Sequence, residues 1–321
     1  MTRDFIIDTD TASDDAVALI MAFKHPGIRV RAVTIVAGNV PVEQGAQNAR
    51  FVADHCQFDG PIYIGCDRPM NRPAEDAQWF HGRDGLGDQN YPPPKRAVTP
   101  GHAVDAIIQT IHEHPGLTLV TLGPLTNIAL AVLRDPTIIP KVSRCVAMGG
   151  NPCCVGNVTP AAEYNIWCDP EAAQIVVSSG LPIELVGWHL CRGDANLLAD
   201  DIARIRAINT PVAHFAIDCN RVAMEANRIQ SGEIGIALPD PTAMAVAIDP
   251  TICTSVTSHA LAIECHSELT RGQTIVDQLN VASDARNRGI WSSLAKRHHP
   301  AKIVWSIDIT KWKSMLFDLL A

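Results

Sequence analysis

The sequence predicts an α/β fold: a mostly parallel central sheet with helices on both faces and a site at the carboxyl ends of its strands. Three observations carry this. Strand-like and helix-like segments alternate from residue 5 to residue 186, as crossovers between parallel strands require. Several strands run into Gly or Asn, at Ala37-Gly38-Asn39, Leu122-Gly123-Pro124 and Met148-Gly149-Gly150-Asn151, which places turns along one edge. The first strand ends in Asp8-Thr9-Asp10-Thr11-Ala12-Ser13-Asp14-Asp15, and ligands of open α/β sheets bind where strands end.

Residues 5–8 read as a short apolar strand, and the apolar pattern from Ala16 onward makes 15–24 a helix. The β-branched run 28–36 is a strand, 42–55 a helix and 61–64 a short strand. A helix at 104–112, a strand at 117–122, a helix at 125–133 and a strand at 142–148 follow. A helix at 170–178 and a strand at 183–186 complete the alternation, a Rossmann-like order. After Gly193 the chain reads as mainly helical to about Met244, then strand-rich over 252–264, ending in a strand at 302–309 and a helix at 310–320. Residues 67–100 break the pattern: they hold six prolines, Trp79, Tyr91 and the run His81-Gly82-Arg83-Asp84-Gly85-Leu86-Gly87. A loop this long is usually functional or disordered, and its aromatic content favours an active-site lid.

The 321 residues, 47% of them hydrophobic, suit one large domain spanning 1–321 with a sizeable core. A net charge of −8 argues against nucleic acid as a partner. The apolar runs are too short to cross a membrane. The ten cysteines include no C-x-x-C pair and sit mostly in apolar runs, as at Cys145, Cys168 and Cys253. They read as ordinary thiols of a reducing compartment. Met1-Thr2-Arg3-Asp4 leads straight into a strand, so the expectation is no signal peptide and a cytoplasmic location.

Asp8, Asp10, Asp14 and Asp15 repel one another unless something positive neutralises them. Helix capping by Ser13 or Asp14 accounts for one or two acids, not four. An all-oxygen cluster points to a hard divalent cation, calcium or magnesium. Asp8-Thr9-Asp10-Thr11 also fits the DxDx[TV] motif of the haloacid-dehalogenase-like phosphotransferases, which use magnesium. Those enzymes complete their site with a later lysine and a distal acidic pair, whereas here the pair follows at once, at Asp14-Asp15.

The whole pattern D-T-D-x-x-x-D-D-A-x-A-L resembles the nucleoside hydrolases (nucleoside N-ribohydrolases) of the inosine-uridine preferring type. Further matches follow in order: Val36-Ala37-Gly38-Asn39, Trp79-Phe80-His81-Gly82, Gly123-Pro124-Leu125-Thr126-Asn127 and Met148-Gly149-Gly150. The blocks Gly156-Asn157-Val158-Thr159-Pro160-Ala161-Ala162-Glu163-Tyr164-Asn165-Ile166 and Asp169-Pro170-Glu171-Ala172-Ala173 come next. Asp240-Pro241-Thr242-Ala243 and Thr270-Arg271-Gly272-Gln273-Thr274 close the series.

The resemblance implies hydrolysis of the N-glycosidic bond of ribonucleosides to free base and ribose. It implies calcium held by Asp10, Asp15, Asp240 and the Leu122 carbonyl, with Asp10 as general base toward a calcium-bound water. Asp14, Asn39, Asn157, Glu163 and Asn165 would bind the ribose hydroxyls, with Asp240 also at the substrate. His81 would lie near the departing base and serve as its acid. The partner is a small ribonucleoside, and the assembly expected from the resemblance is a homodimer or homotetramer. The chemistry agrees: an oxocarbenium-like state needs an activated water on one face and a firm grip on the sugar. A homologue that binds nucleoside without turnover is the remaining alternative, and intact Asp10, Asp14 and Asp15 argue against it.

Departures cluster on the base side. Base-nonspecific members commonly carry His-Asp where this chain has Pro239-Asp240, and proline donates no proton. Asp10-Thr11-Ala12 replaces the family's Asp-Pro-Gly, so Ala12 is expected to avoid a positive φ. Val186-Gly187-Trp188-His189-Leu190-Cys191-Arg192 replaces the commoner Gly-Leu-Asp run. Trp79, Trp167 and Trp188 could stack on a base, and Asn220, Arg221 and Asn227 lie in the region where family members place base contacts. Arg221 and His189 are further candidates for the leaving-group acid.

Overall fold

Strand β1 (Arg3–Thr9) lies inside the sheet, hydrogen-bonded in parallel to β2 (Ile28–Ile35) on one side and β4 (Thr118–Thr121) on the other. The computed structural model describes residues 2–281, 284–286 and 299–321. Among these residues the sheet runs β3-β2-β1-β4-β5-β6-β9-β7-β8, where β3 is Ile62–Ile64, β5 Arg144–Met148, β6 Ile183–Val186, β7 Cys253–Ile263, β8 Thr274–Val276 and β9 Pro300–Ile307. Pairing is parallel from β3 to β9 and antiparallel where β7 meets β9 and β8. The mostly parallel sheet is thus as expected, with an antiparallel edge formed by the late strands.

Among the described residues the α-helices, in chain order, are α1 (Ser13–Lys24), α2 (Val42–His55), α3 (Gln78–His81), α4 (Ala103–Glu113), α5 (Thr126–Arg134), α6 (Tyr164–Cys168), α7 (Pro170–Ser178), α8 (Ala199–Ile208), α9 (Pro211–Asp218), α10 (Arg221–Ser231), α11 (Pro239–Ile248) and α12 (Ile309–Leu320). Strand alternation sorts side chains between the two layers. Phe5 and Ile7 of β1 join the core shared with α1, α2, α11 and α12, while Ile6 joins the core shared with α4, α5 and α7. Sheets covered on both faces need strands apolar on both faces, and β1 meets that demand.

Two helices set up the site. In α1 every residue from Ser13 to Ala22 is buried, and in α11 every residue from Asp240 to Ile248 is buried. They pack against each other and bring acidic first turns together, Asp14 and Asp15 on α1 and Asp240 on α11. Pro239 occupies the first turn of α11, where a missing N–H costs nothing. The cap of α1 is Ala12, with φ −106°, so the avoidance of positive φ holds. Ser13 and Asp14, the caps expected from sequence, lie inside the first turn instead, Ser13 bonded to His81 and Asp14 lining the cleft described below. Asp15 instead reaches back to accept the Ala12 N–H at 2.9 Å.

The proline-rich segment is folded onto the body. Ala77 N donates to Asn39 O at 2.9 Å, Asn48 Nδ2 to Asp84 O at 2.9 Å and Thr99 N to Ile62 O at 2.8 Å. Among the described residues no helix is long and apolar enough to cross a membrane. No cysteine among them is in a disulfide, and Cys153 is exposed.

Candidate active site

The carboxyl ends of β1, β4 and β5 open into a cleft of about 720 Å³, counting its solvent-open part. Asp14, Asn39, His81, Leu122, Asn157, Glu163, Asn165 and Asp240 line it. Asp10 and Asp15 are fully buried beside them. The residues singled out in sequence therefore converge, with one exception among the four early acids. Asp8 accepts from Thr34 Oγ1 at 2.5 Å and from Asn127 Nδ2 at 2.9 Å, tying β1 to β2 and α5, and it does not line the cleft.

Asp10 sits where the chain comes very close. Its Oδ2 accepts the Asn39 N–H at 2.6 Å. A Cβ on residue 38 would lie 2.1 Å from that oxygen, and one on residue 123 would lie 2.8 Å from Oδ1. Only glycine fits at either position, which explains the Ala-Gly-Asn and Leu-Gly-Pro strand ends. Asp15 accepts from Thr9 Oγ1 at 2.5 Å and, at 3.4 Å, from Asn39 Nδ2. Carboxylate oxygens of Asp14, Asp15 and Asp240 lie within 4.8 Å of one another. Asp10 stands outside that group of three, although its charge presses on Asp240 and that of Asp15 on Asp10.

Burial, reinforced by mutual repulsion, drives these carboxyls up. Asp14 is pushed up to about 7, first by burial and then by Asp15. Asp10 and Asp240 are raised well above the ordinary carboxylate range by burial and then by Asp15. Two helix N-termini favour acids by only about 0.3–1 kcal/mol each, up to about 2, whereas an uncompensated buried charge costs several kcal/mol. The dipoles therefore cannot keep the cluster ionised, and protons or a cation must neutralise it. The buried Oδ1 atoms of Asp10 and Asp14 have no hydrogen-bond partner. An all-oxygen donor set with unpartnered carboxylate oxygens fits a hard divalent cation.

The opposite rim grips with amides and one carboxylate. Glu163 caps α6, taking N–H groups of Gly150 at 2.7 Å, Asn165 at 3.0 Å and Ile166 at 3.3 Å. Asn165 Nδ2 donates to Leu122 O at 2.8 Å, so that carbonyl has a protein partner. Asn157 Oδ1 accepts the Tyr164 N–H at 2.9 Å.

At another wall of the cleft, α3 brings His81, whose Nδ1 lies 2.8 Å from Ser13 Oγ and 3.9 Å from Asp14 Oδ1. Burial pulls its imidazole down to about 3, so the ring is neutral near pH 7. Trp79, Trp188 and Asn220 also line the cleft. Other candidates do not. Trp167 stacks beneath Arg271 at 5.5 Å, His189 Nε2 bonds Val304 O at 3.0 Å, Arg221 reaches Gly87 O at 3.4 Å, and Asn227 Oδ1 accepts from Ser231 Oγ at 3.0 Å. Ser13 was missed as a partner of His81. Its position just before Asp14-Asp15 is its only signal in sequence, and helix capping accounts for that equally well.

A sequence model of the inosine-uridine preferring nucleoside hydrolases matches residues 5–314. The chain belongs to this family. It is 38% identical over 283 residues to an inosine-uridine preferring nucleoside hydrolase of Leishmania major, covering 86% of this chain and 88% of that one. It is 38% identical over 290 residues to the pyrimidine-specific ribonucleoside hydrolase RihA of Shewanella baltica, covering 89% and 90%. The solved structure of a plant nucleoside hydrolase superposes with a TM-score of 0.91 at 30% identity, covering 100% of this chain and 99% of that one. The chain is thus an enzyme of the nucleoside hydrolase type, a glycosidase of N-glycosyl compounds, and the phosphotransferase alternative falls away. Asp8, the first acid of that motif, does not line the cleft.

Proposed function

We propose that this protein hydrolyses ribonucleosides to free base and ribose with the help of calcium. One observation carries the reading: a buried four-carboxylate floor, with unpartnered oxygens on Asp10 and Asp14, faces a rim of Asn39, Asn157, Glu163 and Asn165 across one cleft. Asp10, Asp15 and Asp240 would hold the cation, with the Leu122 carbonyl beside them. Bound calcium supplies charge neutralisation and acidifies a coordinated water. Asp10 takes the proton from the attacking water. The amides of Asn39, Asn157 and Asn165 and the carboxylates of Asp14 and Glu163 hold the ribose hydroxyls. They keep the sugar in place while positive charge develops at its anomeric carbon. Assembly as a homodimer or homotetramer is part of the proposal, and light scattering checks it.

Incubation with inosine, uridine, adenosine and p-nitrophenyl phosphate tests the reading. Reducing sugar from a nucleoside supports it. Phosphate release, or nucleoside binding without turnover, would overturn it.

The sugar grip predicts discrimination against deoxyribose. A missing 2′-hydroxyl leaves buried groups unpaired at about 1–3 kcal/mol each. Turnover of 2′-deoxyinosine is expected to be at least roughly tenfold below that of inosine. Equal rates would remove the ribose-binding roles.

The Ser13–His81 contact predicts a leaving-group effect. Nδ1 faces Ser13, so Nε2 is the ring atom left for the base, and a neutral ring donates from it when the Ser13 hydroxyl donates to Nδ1. Loss of the His81 ring is expected to slow inosine or uridine hydrolysis by about 10²-fold while sparing p-nitrophenyl riboside, whose phenolate leaves unaided. Ser13→Ala is expected to slow the same substrates by a smaller factor, and Ser13→Thr to restore most of the loss. If His81→Ala slows both substrate types alike, the ring positions the cleft wall and does not assist departure.

A further inference from the structure

The remaining orphan in the cleft wall is Asn220, just ahead of α10. It is fully buried and lines the cleft. Its Nδ2 donates to Ala216 O at 2.9 Å and faces Ser13 O at 3.5 Å and Cys219 Sγ at 3.3 Å. The reversed amide would set its oxygen against the Ala216 carbonyl, acceptor to acceptor. The amide orientation is therefore set by the end of α9 and the start of α1. That leaves Oδ1, which has no hydrogen-bond partner. A buried carbonyl oxygen without a donor is destabilising, and this one belongs to the wall that carries His81. Both side chains are anchored on the same residue, His81 through Ser13 Oγ and Asn220 through Ser13 O.

We propose that Asn220 is a specificity-determining residue. Its Oδ1 accepts a hydrogen bond from a ring or exocyclic N–H of the departing nucleobase. The favoured substrates are then bases with an N–H on the edge away from the sugar, such as the lactam edges of hypoxanthine and uracil. This rests on the ribonucleoside reading above. His81 Nε2 and Asn220 Oδ1 supply a donor and an acceptor from one wall, which suits a lactam, itself an acceptor beside a donor. Rejection of an analogue lacking the N–H follows because the analogue leaves Oδ1 buried and unpaired.

The test compares inosine with 1-methylinosine and uridine with 3-methyluridine, in the native enzyme and in Asn220→Ala. The native enzyme is expected to lose roughly ten- to hundredfold in kcat/KM on methylation of the N–H. In Asn220→Ala, which removes the acceptor and makes room for the methyl group, that penalty is expected to shrink to within about threefold. Asn220→Ser, a smaller change with a hydroxyl acceptor, is expected to fall between the two. Thermal melting of each variant separates altered selectivity from lost folding. If Asn220→Ala does not fold, the Asn220→Ser ratio decides: one equal to the native ratio overturns the proposal. Native turnover of methylated and unmethylated substrates at equal rates overturns it too. So does a methylation penalty that Asn220→Ala leaves unchanged. Absence of turnover with every nucleoside overturns the hydrolase reading and this inference together, whereas turnover without discrimination overturns this inference alone.

Discussion

Asp10→Asn is expected to cut ribonucleoside turnover by about 10²–10⁴-fold and, in the metal-free protein, to raise the melting temperature at high pH. The two effects share one cause. Asp10 is fully buried, its Oδ2 takes the Asn39 N–H, and its Oδ1 has no partner. Burial first, and Asp15 second, raise its carboxyl well above the ordinary range. A group with a raised folded pKa holds its proton more tightly in the folded state. Its stabilisation is full below the unfolded value and is lost as pH rises through the folded value. Asparagine has nearly the same shape, so it fits between Gly38 and Gly123, and it has no proton to lose. The variant should therefore keep, at high pH, stability that the native metal-free protein gives up. It cannot accept a proton from water, and it supplies a weaker ligand to a cation. A variant that retains a tenth or more of native turnover would take the base role away from Asp10. A variant that loses both activity and stability would mean that the substitution disturbs the turn, and the assignment would then rest on Asp15 and Asp240.

Much of this was legible in the chain because periodicity and turn chemistry are local. Val42–His55, Pro170–Ser178 and Ile183–Val186 fall where apolar spacing and proline placement put them. The short helices were not legible. Tyr164–Cys168 has five residues and no room for a period, and its start depends on a Glu163 cap that reads in sequence as sugar-binding chemistry. Gln78–His81 hides among prolines and glycines, and Thr274–Val276 is three residues on an edge. The antiparallel edge was missed because strand direction is a tertiary property. In the site, the motifs brought Asp10, Asp14, Asp15 and Asp240 together. They could not tell that Asp8 is claimed by Thr34 and Asn127 from neighbouring elements. The base side was least legible. His81 came from its motif block, but nothing local marked Ser13 as its partner or set Asn220 apart from Arg221 and Asn227, because these residues meet from positions far apart in sequence. Of the candidate tryptophans, Trp79 and Trp188 reach the cleft while Trp167 pairs with Arg271, a choice made by loop paths rather than by residue type.

Calcium is expected to raise the melting temperature, and the gain should grow between pH 5 and pH 8, because the cation and the protons compete for the same carboxylates. Asp14 has its pKa pushed up to about 7 by burial and then by Asp15, and Asp10 and Asp240 are raised as well. For all three the folded value exceeds the unfolded one. In metal-free protein their contribution is present below about pH 4 and fades as pH rises through about 7 for Asp14. Asp8, also at about 7 through burial, adds to that loss from outside the cluster, so calcium should not recover its share. At low pH the cluster is protonated and calcium has little to bind. At pH 8 Asp14 has lost its proton, its charge presses on the neighbouring carboxyls, and a divalent cation both relieves that repulsion and stabilises the fold. At a hundredfold excess over its Kd this is worth about 2.7 kcal/mol, a shift of about 4 °C for a chain of this size. Asp240→Asn is expected to remove most of the gain, since it deletes a charge from the group of three whose oxygens lie within 4.8 Å. Turnover should vanish on exhaustive chelation and return with calcium. Magnesium should restore less, because it demands near-octahedral geometry and releases water reluctantly. Chelated protein that metal analysis finds free of divalent ions, yet still turns over nucleoside at the full rate and gains no stability from calcium at pH 8, would mean that protons alone neutralise the cluster and that Asp10 acts without a cation.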